Sequence, residues 1–211
     1  MKLGVLGTGD VGTNLASKLT ELGHEVMLGS RSAEKAKGSV SKMGAKAHSG
    51  TFADAASFGE VVFNCTNGSG SIEALRSAGA ENLTGKVLID VANPLSFVNN
   101  QLVLTVTNTD SLGEQIQRAF PETKVVKALN TMNFRVQTNP RILHGESDVF
   151  ICGNDQGAKA KVSEILGWFG WKSIIDLGGI DRARGLEAIL LIWFALSQKY
   201  NFEPLNFRIV R

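Results

Sequence analysis

The sequence predicts an α/β fold with a doubly wound, mostly parallel sheet and a small C-terminal helical extension. Three observations carry the prediction. Short apolar runs alternate with amphipathic stretches through most of the chain, the pattern of βαβ units joined by right-handed crossovers. A glycine-rich turn follows the first apolar run and opens the first amphipathic stretch. The last amphipathic stretch is apolar on nearly every face, unlike those before it.

Lys2 to Leu6 reads as a buried parallel strand. An amphipathic helix follows from Val11 to Leu22, with Leu15 and Leu19 on one face and Gly23 as its stop. Glu25 to Leu28 starts a second strand that ends at Gly29, Ser30 and Arg31. Ala45 to His48 is a weak strand, and Thr51 to Ser57 a short helix capped by Thr51. Glu60 to Cys65 is a strong strand and Ile72 to Ala78 a helix. A Thr84-Gly85 turn leads into the strand Lys86 to Val91.

Pro94 to Asn108 is an excursion or hairpin. Ser111 to Phe120 is a helix, and Lys124 to Leu129 is a sixth strand. Asp148 to Ile151 and Ser173 to Ile175 are later strands, joined by the helix Gln156 to Phe169. In the last helix, Gly185 to Lys199, a stripe of Leu186, Ile189, Leu190, Trp193 and Leu196 is widened by Leu191, Ile192 and Phe194. Such a helix must be covered on most faces. It lies deep in the fold, packs on a second subunit as in a homodimer, or walls a substrate pocket. Residues 1–211 form a single domain on this reading, with residues 145–211 as its C-terminal strands and helix.

Composition narrows the function. Apolar residues make up 43% and charged residues 20% of the 211 residues, an ordinary globular balance. A net charge of +2 with scattered basic residues gives no footprint for nucleic acid. The longest apolar run, Ala188 to Leu196, is far shorter than the ~20 residues a membrane helix needs. Cys65 and Cys152 lie far apart in apolar runs, with no zinc or redox spacing, and read as buried free thiols. A cytoplasmic protein without membrane partners or a metal site is the expectation.

Gly7-Thr8-Gly9-Asp10-Val11-Gly12 matches G-x-G-x-x-G between a strand and a helix, the context of a Rossmann-type dinucleotide site. Gly7 makes the tight turn, Gly9 lets the backbone approach a pyrophosphate, and Gly12 lets the helix pack on the sheet. Free N–H groups at the helix start then hold the diphosphate. The second strand ends in Ser30-Arg31-Ser32, with Lys35 one turn on. An acid there would bond a ribose 2′-hydroxyl. A fixed arginine instead pairs with a 2′-phosphate, to which Ser30 can donate, so NADP(H) is the expected cofactor.

Three further strand ends carry polar residues: Thr66-Asn67-Gly68, Ala92-Asn93-Pro94 and Asn130-Thr131. Each is either pocket lining or turn chemistry. Taken together, Thr66, Asn67, Asn93, Pro94 and Asn130 suit a nicotinamide pocket at the carboxyl edge of the sheet. His24, His48 and His144 lack a neighbouring acid and read as structural or exposed. No acid–base dyad is evident and no catalytic residue can be named. Carbonyl reduction needs a placed proton donor. Exchange of hydride with a flavin-like ring needs mainly stacking and alignment.

The glycine motif, Leu22-Gly23-His24-Glu25-Val26, and Gly29-Ser30-Arg31-Ser32 with Glu34-Lys35-Ala36 resemble the 8-hydroxy-5-deazaflavin:NADPH oxidoreductase family. So do the runs Val125 to Thr131 and Val149 to Asp155, and Asp176-Leu177-Gly178 followed by Arg182 and Ala183. The resemblance covers nearly the whole chain and extends to the reductase domain of the six-transmembrane metalloreductases. It implies a Rossmann domain with a small helical C-terminal portion. It also implies NADP(H) held by the positions Thr8 to Val11, Ser30, Arg31 and Lys35, and hydride exchange with a flavin or deazaflavin. Asn130, where deazaflavin reductases often carry histidine, is closer to the metalloreductase pattern. The leading expectation is an NADPH-dependent oxidoreductase with a small-molecule flavin or deazaflavin acceptor. The alternatives are a reductase of a small carbonyl or imine, and a non-catalytic NADP(H) sensor.

Overall fold

The computed structural model describes residues 1–211. Its centre is an eight-stranded sheet ordered β10-β9-β8-β5-β4-β1-β2-β3. These strands are β1 (Lys2–Leu6), β2 (Glu25–Ser30), β3 (Ala47–Thr51), β4 (Val61–Asn64), β5 (Val87–Asp90), β8 (Lys124–Ala128), β9 (Asp148–Gly153) and β10 (Ser173–Asp176). A separate hairpin of β6 (Leu95–Val98) and β7 (Gln101–Leu104) rises from the end of β5, the excursion expected between Pro94 and Asn108. The sheet is parallel except at one seam, where β9 runs antiparallel to β8. Sequence alternation could not reveal that reversal, because the connection from β8 to β9 contains only a short helix.

The helices are α1 (Asp10–Glu21), α2 (Ala33–Val40), α3 (Phe52–Phe58), α4 (Ser71–Ala78), α5 (Ala80–Leu83), α6 (Leu112–Ala119), α7 (Phe134–Thr138), α8 (Gln156–Trp168) and α9 (Ala183–Lys199). They cover both faces. On one side Leu15 and Leu19 of α1, Val136 of α7 and Val162 and Ile165 of α8 pack on Leu3, Val5, Phe63 and Val126. On the other, Phe52 of α3, Leu75 of α4, Ile116 of α6 and Leu186 of α9 pack on Leu6, Val62 and Leu88. Buried strands with apolar side chains on both faces are what a doubly wound parallel sheet requires.

Local chemistry explains the ends of these elements. Thr51 caps α3 through a reciprocal box: its hydroxyl accepts from the Asp54 N–H, and the Asp54 carboxylate accepts from the Thr51 N–H. Ser111 caps α6 by accepting from the Glu114 N–H. Helices α2, α5 and α7 were not expected from the sequence. Only Ala36 of α2 is buried, so no apolar stripe announces it.

Helix α9 departs from the expectation of near-complete cover. Leu186 and Leu190 are buried, but Leu191 and Ile192 are 40% and 58% exposed. Phe194 stands between Phe97 of the hairpin and Phe202 of the C-terminal segment, with ring centroids 6.1 and 6.4 Å away. Of the cysteines, Cys152 is buried and Cys65 half-buried, a correction to the expectation of two buried thiols. His24 stacks on Trp168 at 4.4 Å, and His48 meets Phe58 edge-on, both structural contacts.

Candidate functional site

The candidate site lies at the carboxyl ends of β1, β4, β5 and β8, which are neighbours in the sheet. Ligands on open α/β sheets bind along this edge. The turn from β1 to α1 has the geometry its glycines require. Gly7 has φ +119°, and a Cβ on it would meet the Cys65 carbonyl oxygen at 2.5 Å. A Cβ on Gly12 would fall 1.9 Å from the Gly7 carbonyl oxygen, so only glycine lets α1 start this close to β1. Gly9 is different: nothing lies within 4 Å of where its Cβ would be. The backbone there faces open space, as a loop that receives an anion must.

That space is a cleft of about 540 Å³ lined by Gly7, Thr8, Gly9, Ser30, Arg31, Lys35 and the β4–α4 connection from Cys65 to Gly70. Arg31 and Lys35 therefore stand on the same cavity as the glycine turn. A second space of similar volume continues along the edge past Thr66 and Asn67 to Val91, Ala92, Asn93 and Phe97. The two share Cys65, Thr66, Asn67 and Ser69, so they form one elongated groove. The glycine turn, with the two cations Arg31 and Lys35 against the one carboxylate Glu73 on the same cleft, suits a dinucleotide with a 2′-phosphate. A larger cavity, about 640 Å³, lies between Arg141, His144, Lys172 and Arg208 and shares no wall with the groove.

The expected site residues separate into those that face the groove and those that shape it. Gly7, Thr8, Gly9, Arg31, Lys35, Thr66, Asn67 and Asn93 line it, and Val11 lines its far part. Asp10 is exposed at the first turn of α1. Ser30 borders the cleft but is 3% exposed, and its hydroxyl donates to the Ser32 carbonyl, so it shapes the turn that presents Arg31. Thr66 donates to Asn64 Oδ1 at 2.6 Å, and Asn67 Oδ1 accepts from the Ser69 N–H at 3.1 Å. Turn chemistry and groove lining coincide at these two residues.

Pro94 and Asn130 lie outside the lining. The Pro94 carbonyl accepts from the Thr105 N–H at 2.8 Å and closes the hairpin. Asn130 is 1% exposed and sits behind Asn93. Leu129, held in the left-handed region at φ 62°, precedes it. Asn130 Nδ2 donates to Asn93 Oδ1 at 2.9 Å and to the Leu186 carbonyl of α9 at 2.8 Å.

Beneath these residues lies a feature that sequence reading missed. Asn64, Asp90 and Lys127 are register partners across β4, β5 and β8. Lys127 Nζ donates to Asp90 Oδ2 at 2.7 Å, to the Ala92 carbonyl at 2.6 Å and to Glu187 Oε1 at 2.8 Å. Burial alone would depress the ammonium, but the two carboxylates hold it above its ordinary range. Glu187 also accepts from the N–H groups of Leu112 and Gly113, at the start of α6. A lysine inside an apolar strand and a glutamate inside an apolar helix stripe were the available signals.

The far part of the groove holds no histidine, carboxylate, lysine or arginine. Its one titratable group is Cys65, whose thiol is pushed well above its ordinary range by burial and by the nearby Asp90 charge.

Residues 2–94 match the family model described as NADP oxidoreductase, coenzyme F420-dependent. An F420-dependent NADP reductase of Methanothermobacter marburgensis is 30% identical over 224 residues, spanning 99% of this chain and 98% of the relative. The metalloreductase STEAP3 of Rattus norvegicus is 34% identical over 192 residues, 90% of this chain but 36% of that relative, so the chain spans about a third of its length. Among solved structures, a provisionally assigned F420-dependent NADP reductase from Arthrobacter sp. FB24 superposes over the full length of both chains, with a TM-score of 0.93 and 46% identity. No helix of the chain is long and apolar enough to cross a membrane.

Proposed function

The chain belongs to the coenzyme F420-dependent NADP oxidoreductase family and is an NADP-dependent oxidoreductase, and from that premise we propose that it exchanges hydride between NADP(H) and a deazaflavin in the groove described above. One observation carries the acceptor. The part of the groove that would hold the nicotinamide offers amides, hydroxyls and apolar surface, but no group poised to give a proton at neutral pH. Reduction of a carbonyl needs such a donor. A ring that takes hydride directly needs a flat, partly apolar surface and alignment. Phe97, 62% exposed at the rim, offers such a surface.

NADP(H) supplies the hydride chemistry when bound. The chain's residues bind and orient. The N–H groups of Thr8 to Val11 face the pyrophosphate position, Gly9 leaves the approach open, and Arg31 and Lys35 pair with the 2′-phosphate. Ser30 and Gly12 support these contacts from behind. Asn67 and Asn93 border the nicotinamide, with Asn93 held by Asn130 and Pro94 fixing the hairpin at the rim. Residues 1–211 act as one cofactor-binding domain in this reading. Two copies meet over the apolar face that Leu191 and Ile192 expose.

Anaerobic mixing of NADPH with a deazaflavin, and separately with FMN, tests the acceptor. The expected result is rapid hydride transfer to the deazaflavin. Bound NADPH that reduces neither ring would refute the proposal.

A further inference from the structure

A single chain of buried hydrogen bonds runs from the floor of the groove to helix α9. Thr66, on the groove wall, donates to Asn64 Oδ1. Asn64 Nδ2 donates to Asp90 Oδ1 at 2.8 Å, Asp90 accepts from Lys127, and Lys127 donates to Glu187. Asn64, Asp90 and Lys127 are completely buried, and Glu187 is 1% exposed.

Asp90 Oδ1 accepts from the Asn64 amide and the Ala92 N–H, and Oδ2 accepts from the ammonium. Glu187 Oε1 accepts from Lys127 and the Gly113 N–H, and Oε2 from the Leu112 N–H. Every carboxylate oxygen of the two groups thus meets an N–H donor. Two carboxylates share one ammonium, so the cluster carries an excess formal negative charge, which its burial leaves weakly screened by solvent. The amides at the start of α6 offset part of that charge, not all of it. Asp90 ends β5, and the three residues that follow it, Val91, Ala92 and Asn93, line the far part of the groove.

The two redox forms of the cofactor differ at this end of the molecule: the oxidised nicotinamide ring carries a positive charge and the reduced ring none. We propose that the buried Asp90–Lys127–Glu187 cluster acts electrostatically on the nicotinamide, favouring the oxidised over the reduced cofactor and so setting the direction in which the bound couple gives up hydride. The inference rests on the groove being the NADP(H) site. Burial first, and the Asp90 charge second, raise the Cys65 thiol on the groove wall, which is consistent with the charge of Asp90 acting at that surface.

The test compares dissociation constants of NADP⁺ and NADPH in wild type, Glu187→Gln and Asp90→Asn. Each variant removes one negative charge while keeping the shape of the side chain. The ratio of the NADP⁺ to the NADPH constant is expected to rise about threefold or more in each. A purely structural role would weaken both forms alike and leave the ratio unchanged, which would overturn the proposal. If Glu187→Gln loosens α9 too far to purify, Asp90→Asn gives the same reading from the strand side. An unchanged ratio with wild-type NADPH binding intact removes this inference alone. Failure of wild type to bind either form removes the groove assignment and the inference with it.

Discussion

Asn93 and Asn130 bind each other twice: Asn93 Nδ2 donates to the Asn130 carbonyl at 2.8 Å, and Asn130 Nδ2 donates back to Asn93 Oδ1 at 2.9 Å. The pair ties the ends of β5 and β8 together, and Asn130 carries the tie on to the Leu186 carbonyl. Asn130 thus acts on the groove through Asn93.

Asn130→Ala should therefore cost stability more than affinity. It leaves Asn93 Oδ1 without its buried donor, a loss of about 1–3 kcal/mol in urea unfolding. NADPH affinity should stay within about threefold of wild type, a change of under about 1 kcal/mol. A tenfold or greater loss of affinity with stability intact, about 1.4 kcal/mol or more, would return Asn130 to direct cofactor contact.

Two glycines of one motif should respond oppositely to the same substitution. Gly12→Ala drives a methyl into the Gly7 carbonyl and should destabilise the fold by about 1–3 kcal/mol or more. Gly9→Ala meets no protein atom, so the thermal midpoint should barely move. The methyl would occupy the pyrophosphate approach instead, and NADPH affinity should fall by about tenfold or more. Normal NADPH binding by Gly9→Ala would show that the loop does not receive the diphosphate.

Acid should loosen the junction of α6 and α9. Arg184 makes a two-pronged bond to Glu114, and Ser111 donates to the same carboxylate. The Arg184 bond chiefly, against some opposing burial, holds the Glu114 carboxyl below its ordinary range. A carboxylate depressed in the folded state gives its full stabilisation above its unfolded pKa of about 4.3 and loses it as pH falls through the lower folded value. Unfolding midpoints measured from about pH 6 down to about pH 3 should decline, and Glu114→Gln should flatten that decline. An identical slope in the variant would remove Glu114 from the account.

Ile192, 58% exposed beside Leu191, lies on the apolar face proposed to meet a second copy. Ile192→Asp should convert a dimeric mass in light scattering to a monomeric one, since a charge on an apolar contact must be desolvated without a partner. A wild-type mass already equal to one chain would refute the dimer.

Where chemistry is local, the sequence was legible. The glycine turn, the Thr51 cap and the Ser30-Arg31 strand end each depend on a few adjacent residues, and each lies where the pattern places it. The fold class followed from alternation, and the hairpin from Pro94 onward from the break in it. What escaped depends on contacts distant in sequence. The reversal of β9 is set by how it meets β8. The burial of Asn130 behind Asn93 depends on α9, 56 residues on. Lys127 and Glu187 each look like isolated charges among apolar neighbours until the fold brings them to 2.8 Å.

The most direct test of the account is titration with NADPH and NADH, followed by nicotinamide fluorescence, in wild type and Arg31→Ala. The groove assignment predicts that wild type binds NADPH about tenfold or more tightly, and that Arg31→Ala removes most of that difference, because a charged hydrogen bond contributes about 1.5–3 kcal/mol. Equal affinities in wild type, or a preference that survives Arg31→Ala, would contradict the placement of the 2′-phosphate beside Arg31.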